Sequence, residues 1–184
     1  MSEITVAIRY AKALIDLATE QKALEHVHKD MELFIHTIKA NPQLNAVLAN
    51  PIIYHDKKIK ILDGIFSDKV SKVTILFFNL MVNKSRAEIL YPAALEFVNQ
   101  YDVVKNITNA TVVSATELSA ANKKTIIAEI EALTKGTVTL TAKVDPSLIG
   151  GFVLTVGDRQ IDTSISNSLA KLKREFAHRV VTVK

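Results

Sequence analysis

Glycine is spread so unevenly along this chain that it divides the sequence into two parts with different folding rules. Of five glycines, Gly136, Gly150, Gly151 and Gly157 fall in the last fifty residues, and Gly64 stands alone upstream. Glycine weakens helices and permits turns, so the asymmetry predicts a helical first part and a turn-rich last part.

The upstream residues fit helices of about three to five turns. One runs from Ile4 to about Glu20. A second spans about Lys22 to Lys39, with Leu24, Val27, Met31, Phe34, Ile35 and Ile38 at helical spacing. Asn41-Pro42 opens a short helix, QLNAVLA, that Asn50-Pro51 stops. HDKKIKILDGIF gives a fourth, with Ile59, Leu62 and Phe66 on one side. Ser67-Asp68 can cap a fifth from Lys69 to about Asn83, and Pro92 can start a sixth, AALEFVNQYDVV. Residues 1–105 therefore read as an all-α six-helix domain.

From Ile107 the pattern changes. ITNATVVSA alternates and is rich in β-branched residues, as a strand is. ANKKTIIAEIEALTK carries Ile126, Ile127, Ile130 and Leu133 as a helical stripe. TVTLTAKV alternates again, with Val138, Leu140, Ala142 and Val144 facing one way. FVLTV, Gly157-Asp158, RQIDTSI and a last helix with Leu169, Leu172 and Phe176 follow. Residues 106–184 thus read as a small module in the order strand, helix, three strands, helix, and the whole chain as α+β.

The glycines do not form a phosphate cradle. A dinucleotide site needs G-x-G-x-x-G opening a helix, and a phosphate loop needs G-x-x-x-x-G-K-[ST]. Here Gly150-Gly151 opens a strand, where a missing Cβ permits a bend or bulge, and Gly157-Asp158 joins two strand-like runs as a tight hairpin loop. Absence of cysteine removes disulfides, thiolate metal sites and thiol nucleophiles together. His28, Glu32 and His36 fall four apart on one helix, but without a further ligand candidate they read as an exposed polar stripe. No serine or threonine stands in a nucleophile context. The residues nominate no catalytic group, cofactor or metal.

Charge points to no nucleic-acid partner either. Residues 1–105 hold 13 Lys/Arg against 12 Asp/Glu, and residues 106–184 hold 10 against 7. The cluster Lys171, Lys173, Arg174 and Arg179 has only Phe176 as an aromatic companion, so it reads as a solvated helix face. The N-terminus carries Glu3 and lacks a basic leader, which argues against a signal peptide, and the run ILFFNLMV is too short to span a bilayer.

Two helices carry more apolar surface than one core face needs. In the first, Thr5, Arg9, Lys12, Asp16 and Glu20 form one polar stripe; Ile4, Ile8, Ala11, Ile15 and Ala18 make one apolar face, and Val6, Tyr10, Ala13 and Leu17 another. In the fifth, Val73, Phe77 and Leu80 are distinct from Ile75, Phe78, Met81 and Val82. A helix apolar most of the way round is either wholly buried or offers its spare face to a partner. Periodicity leaves both readings open.

RYAKALIDLA near the start and LTAKVDPSLIGGFVLTVGDRQIDTSI near the end, in this order and at this length, resemble the family of δ subunits of bacterial F-type ATP synthases and their mitochondrial counterpart, the oligomycin-sensitivity protein. One departure is that Arg9 directly precedes Tyr10, where many members place a proline between. The resemblance covers essentially the whole chain. It implies a non-catalytic stator subunit without cofactor or metal, whose first domain grips the N-terminal segment of an α subunit across the first and fifth helices. Val6, Tyr10, Ala13, Leu17, Val73, Phe77 and Leu80 are then the expected contact surface. The second domain is expected to hold the C-termini of the membrane-anchored b subunits. Gly150, Gly151, Gly157, Asp158 and Asp162 are read as a structural signature of that domain. The implied location is the cytoplasmic face of the bacterial inner membrane, with attachment only through the complex. A helical adaptor of another assembly and a weak nucleic-acid-binding module are the alternatives.

Overall fold

Alanine sets how the first helix packs. α1 (Glu3–Glu20) buries Ala7, Ala11, Leu14, Ile15 and Ala18, and α6 (Leu90–Val104) buries Leu90, Ala93, Ala94, Phe97 and Tyr101. Small side chains on both surfaces let the two backbones approach closely. The computed structural model describes residues 3–134, 136–157 and 159–181; Asp158 and the side chains of Leu133, Phe176 and Arg179 lie outside the described residues.

Between these helices run α2 (Leu24–Ala40), α3 (Pro42–Ala49), α4 (His55–Phe66), α5 (Lys72–Asn83) and a 3-10 turn, Ala87–Ile89, that feeds α6. Phe34, Phe66 and Phe78 join α2, α4 and α5 in one aromatic cluster, with ring centroids 4.8–5.8 Å apart. Tyr101 stacks on His28 at 3.9 Å and donates its hydroxyl proton to Glu25 at 2.7 Å. Burial, reinforced by that carboxylate, pushes the Tyr101 hydroxyl up to about 12. His28 also lies 3.9 Å from Glu32, while His36 is exposed, and among the described residues no acid–histidine group could hold a metal.

Several expectations are corrected here. α5 starts at Lys72 and is capped by Ser71, whose hydroxyl accepts the Thr74 N–H at 3.4 Å; Ser67-Asp68 is not the cap. The reason is a buried carboxylate: Asp30 of α2 accepts the Ser71 N–H at 2.7 Å and the Thr74 hydroxyl at 2.8 Å, which fixes the helix start there. α6 begins at Leu90, leaving Pro92 inside the first turn, where no N–H is needed. On the apolar face read as Ile4, Ile8, Ala11, Ile15 and Ala18, only the last three are covered, and Ile4 and Ile8 are 69 % and 41 % exposed. Ile4 shares the covered arc of α1 but stands in its first turn, and Ile8 sits at the edge of that arc, while Ala11 and Ala18 occupy its centre.

Residues 1–104 and 105–184 form two separate units. In the second, β1 (Ile107–Ser114), α7 (Ala120–Thr134), β2 (Thr137–Val144), β3 (Phe152–Val156), β4 (Arg159–Asp162) and α8 (Ile165–Val181) follow in order. The sheet runs β2-β1-β3-β4, with β1 parallel to β2 across the α7 crossover and the other pairs antiparallel. Its core is Ala110, Val112, Ile126, Ile130, Val138 and Leu154. Of the four residues read as facing one way, Ala142 and Val144 are exposed. β2 is an edge strand, and the core reaches only Val138 and, partly, Leu140. The α+β class is the one the sequence implies.

Candidate partner-binding groove

Where α1 and α5 meet, the spare faces of both helices enclose a cleft of about 520 Å³. Tyr10, Ala13, Leu14, Leu17 and Gln21 form one wall, and Lys72, Val73, Leu76, Phe77 and Leu80 the other. Leu14 and Phe77 are buried and make the floor. Leu17, Leu76 and Leu80 are 41 %, 68 % and 47 % exposed and make the rim. The cleft is contiguous, apolar and open to water, so it is not closed core, and it has the make-up of the surfaces that partner segments cover.

Both ends of the groove are held. Arg86 donates from Nη1 to the Tyr10 hydroxyl at 2.7 Å, and its guanidinium carbon lies 5.4 Å from the Tyr10 ring centroid. That contact fixes the ring at the end where α5 has just finished. At the other end, the Asp30 carboxylate pins the first turn of α5 beside Lys72. The walls are therefore formed before any partner arrives.

Of the expected surface, the structure brings Tyr10, Ala13, Leu17, Val73, Phe77 and Leu80 together around this cleft, and it leaves Val6 out. Val6 lies on the same arc of α1 but one turn beyond Tyr10, past the end of the groove. Sequence reasoning missed Leu14, Gln21, Lys72 and Leu76. For Leu76 a signal existed: it stands four residues from both Lys72 and Leu80, between them on the helix surface.

The signature residues of the second unit shape its backbone. Gly151 has φ +75°, and a Cβ there would collide with the Thr163 carbonyl; a Cβ on Gly150 would come within 2.6 Å of Ile165 Cδ1. Gly151 is needed because the backbone of the 163–165 link passes directly over it, and Gly150 holds that link by accepting the Ile165 N–H at 3.0 Å. Gly157 has φ +54° next to the Val156–Arg159 pair. Asp162 accepts the Ser164 N–H at 2.8 Å, and Ser164 in turn accepts from Asn167 at the start of α8. Hydrogen bonds from the Ser164 side chain and backbone hold the Asp162 carboxyl below the usual carboxylate range.

α8 presents Ile165, Leu169 and Leu172 on one face, 47 %, 52 % and 47 % exposed, beside exposed Lys171, Lys173 and Arg174. No described helix is long and apolar enough to cross a membrane.

Residues 6–176 match the family model for the ATP synthase delta (OSCP) subunit. The ATP synthase subunit delta of Cytophaga hutchinsonii is 39% identical over 184 residues, covering 98% of this chain and 99% of that protein. That of Flavobacterium johnsoniae is 35% identical over 178 residues, covering 97% and 100%. Among solved structures, a chain of the Toxoplasma gondii mitochondrial ATP synthase hexamer superposes with a TM-score of 0.72 over 93% of this chain and 97% of its own, at 21% identity, which shows a shared fold. With the family model spanning nearly the whole length and relatives alike end to end, the chain belongs to the ATP synthase delta (OSCP) subunit family.

Proposed function

We propose that this chain is the non-catalytic stator subunit of an F1Fo ATP synthase, tying the α/β catalytic head to the membrane-anchored b subunits. The observation that carries the proposal is the preformed apolar groove between α1 and α5. Its width between two helices and its leucine rim suit an amphipathic helix laid in by its apolar face. The family reading supplies the occupant, the N-terminal segment of an α subunit. Small Ala13 on one wall lets that helix come close. Residues 1–105 then act as the six-helix head-binding domain. Residues 106–184 act as the strand-helix-three-strands-helix domain that receives the b subunits, with the Ile165–Leu169–Leu172 face of α8 as its most exposed apolar helix surface.

The mechanism is mechanical. Rotor torque would turn the head unless an outside link resists it, and this chain supplies the link, so proton flow drives ATP synthesis without a reacting group here. Submicromolar binding at each end needs more than about 8 kcal/mol, which interfaces of standard size provide. The chain works at the cytoplasmic face of the bacterial inner membrane, held there through its partners.

The test is reconstitution. Membranes bearing the enzyme stripped of this subunit should hydrolyse ATP without pumping protons, and adding the chain should restore pumping. Tyr10→Asp, folded by cooperative melting, should restore little. Full restoration by Tyr10→Asp, or none by the wild type, would contradict the proposal.

A further inference from the structure

A second, smaller cavity of about 280 Å³ lies between the end of α3, the start of α4 and the turn after α5. Lys58 stands in its wall, although the residue is only 6% exposed. Its ammonium donates to the Leu48 carbonyl at 2.6 Å, a favourable place for a cation at the last turn of α3. That bond uses one of three donors. No carboxylate forms an ion pair with Lys58 among the described residues, Glu88 on the same cavity wall included. A largely buried cation with two unused donors and no counter-charge leaves room for one, and the cavity is the route by which it can arrive.

The loop beside the cavity carries the chain's most exposed large apolar side chains among the described residues, Ile52 at 83% and Tyr54 at 78%. Asn50 Oδ1 accepts the Ile52 N–H at 2.9 Å and holds this loop in shape. A free phosphate or other small anion would satisfy Lys58 and leave both side chains wet. The cavity lies at the lower edge of the roughly 300–1,000 Å³ of small-molecule sites and has room for an acidic side chain. Exposed tyrosine next to a desolvating pocket is the usual make-up of a protein hot spot.

We propose that this surface docks an acidic, apolar-flanked segment of a partner protein, with one Asp or Glu carboxylate entering the cavity to reach Lys58 and its neighbours covering Ile52 and Tyr54. The partner is taken as the catalytic head, and in that respect the inference rests on the function proposed above.

Two measurements test it. In amide NMR spectra of the full chain, acetate should shift residues 48–58 and 85–88 saturably, where chloride at matched ionic strength does not, and Lys58→Met should abolish the effect. Absence of a local shift overturns the proposal, as does a shift seen only in Glu88→Gln, which would mean that Glu88 itself closes the cavity. Because Lys58→Met can disturb folding, the second measurement uses exposed positions. Ile52→Ser and Tyr54→Ala should each bind the isolated head about tenfold more weakly than wild type while binding an α N-terminal peptide equally well. Unchanged head affinity in both variants overturns the proposal. Failure of the wild type to bind the peptide at all would instead count against the groove reading, and the acetate titration alone would then decide the cavity.

Discussion

Gly151 shows how one residue governs a junction. Its positive φ and the passage of Thr163 over it leave no room for a side chain, so Gly151→Ala should destabilise the second unit by roughly 1–3 kcal/mol, read as a lower denaturant midpoint. An unchanged midpoint would mean that the link can move aside. The need for glycine was legible from its place before a strand, but the reason was not, because the chain that crosses it arrives twelve residues later. Tyr101 was illegible for the same cause: its partners, His28 and Glu25, come from another helix. Its folded value of about 12 exceeds the ordinary value of 10.0, so the fold holds the phenolic proton more tightly than the unfolded chain does. That stabilisation is complete below about pH 10 and is lost as pH rises towards about 12. The stability advantage of wild type over Tyr101→Phe should therefore shrink across that window; a constant difference would refute this assignment.

At the scale of elements, helical projection separated the two faces of α1 and α5, since apolar spacing alone defines them. It could not say where along each helix a face is covered. Val6 and Leu76 mark that limit: one lies on the right arc beyond the groove's end, the other inside the groove but outside both apolar sets read from the fifth helix. The start of α5 was misplaced because its cap depends on Asp30, which a local pattern cannot show. Asp30→Ala should strand the half-buried Ser71 N–H and leave the Thr74 hydroxyl with Ser71 Oγ alone, costing about 1–3 kcal/mol. Hydrogen exchange should speed up in the first turn of α5 more than in α4. Equal protection in both helices would show that Asp30 does not hold the groove wall.

For the whole molecule, the division near residue 105 was readable from glycine usage and the change of period, two signals that need no tertiary information. The second cavity was not readable, because Lys58, His55 and Ser85 look like ordinary surface residues until three elements fold around them. The central claim is that the open groove of the first unit receives the α-subunit N-terminus. Calorimetric titration of the full chain with a peptide of that segment, from the same organism, tests it most directly. Wild type and Val6→Asp should bind one-to-one with submicromolar affinity, and Leu76→Asp, at a site 68 % exposed and so harmless to folding, should weaken binding about tenfold or more. Equal affinity for wild type and Leu76→Asp, or loss of binding in Val6→Asp alone, would contradict the account.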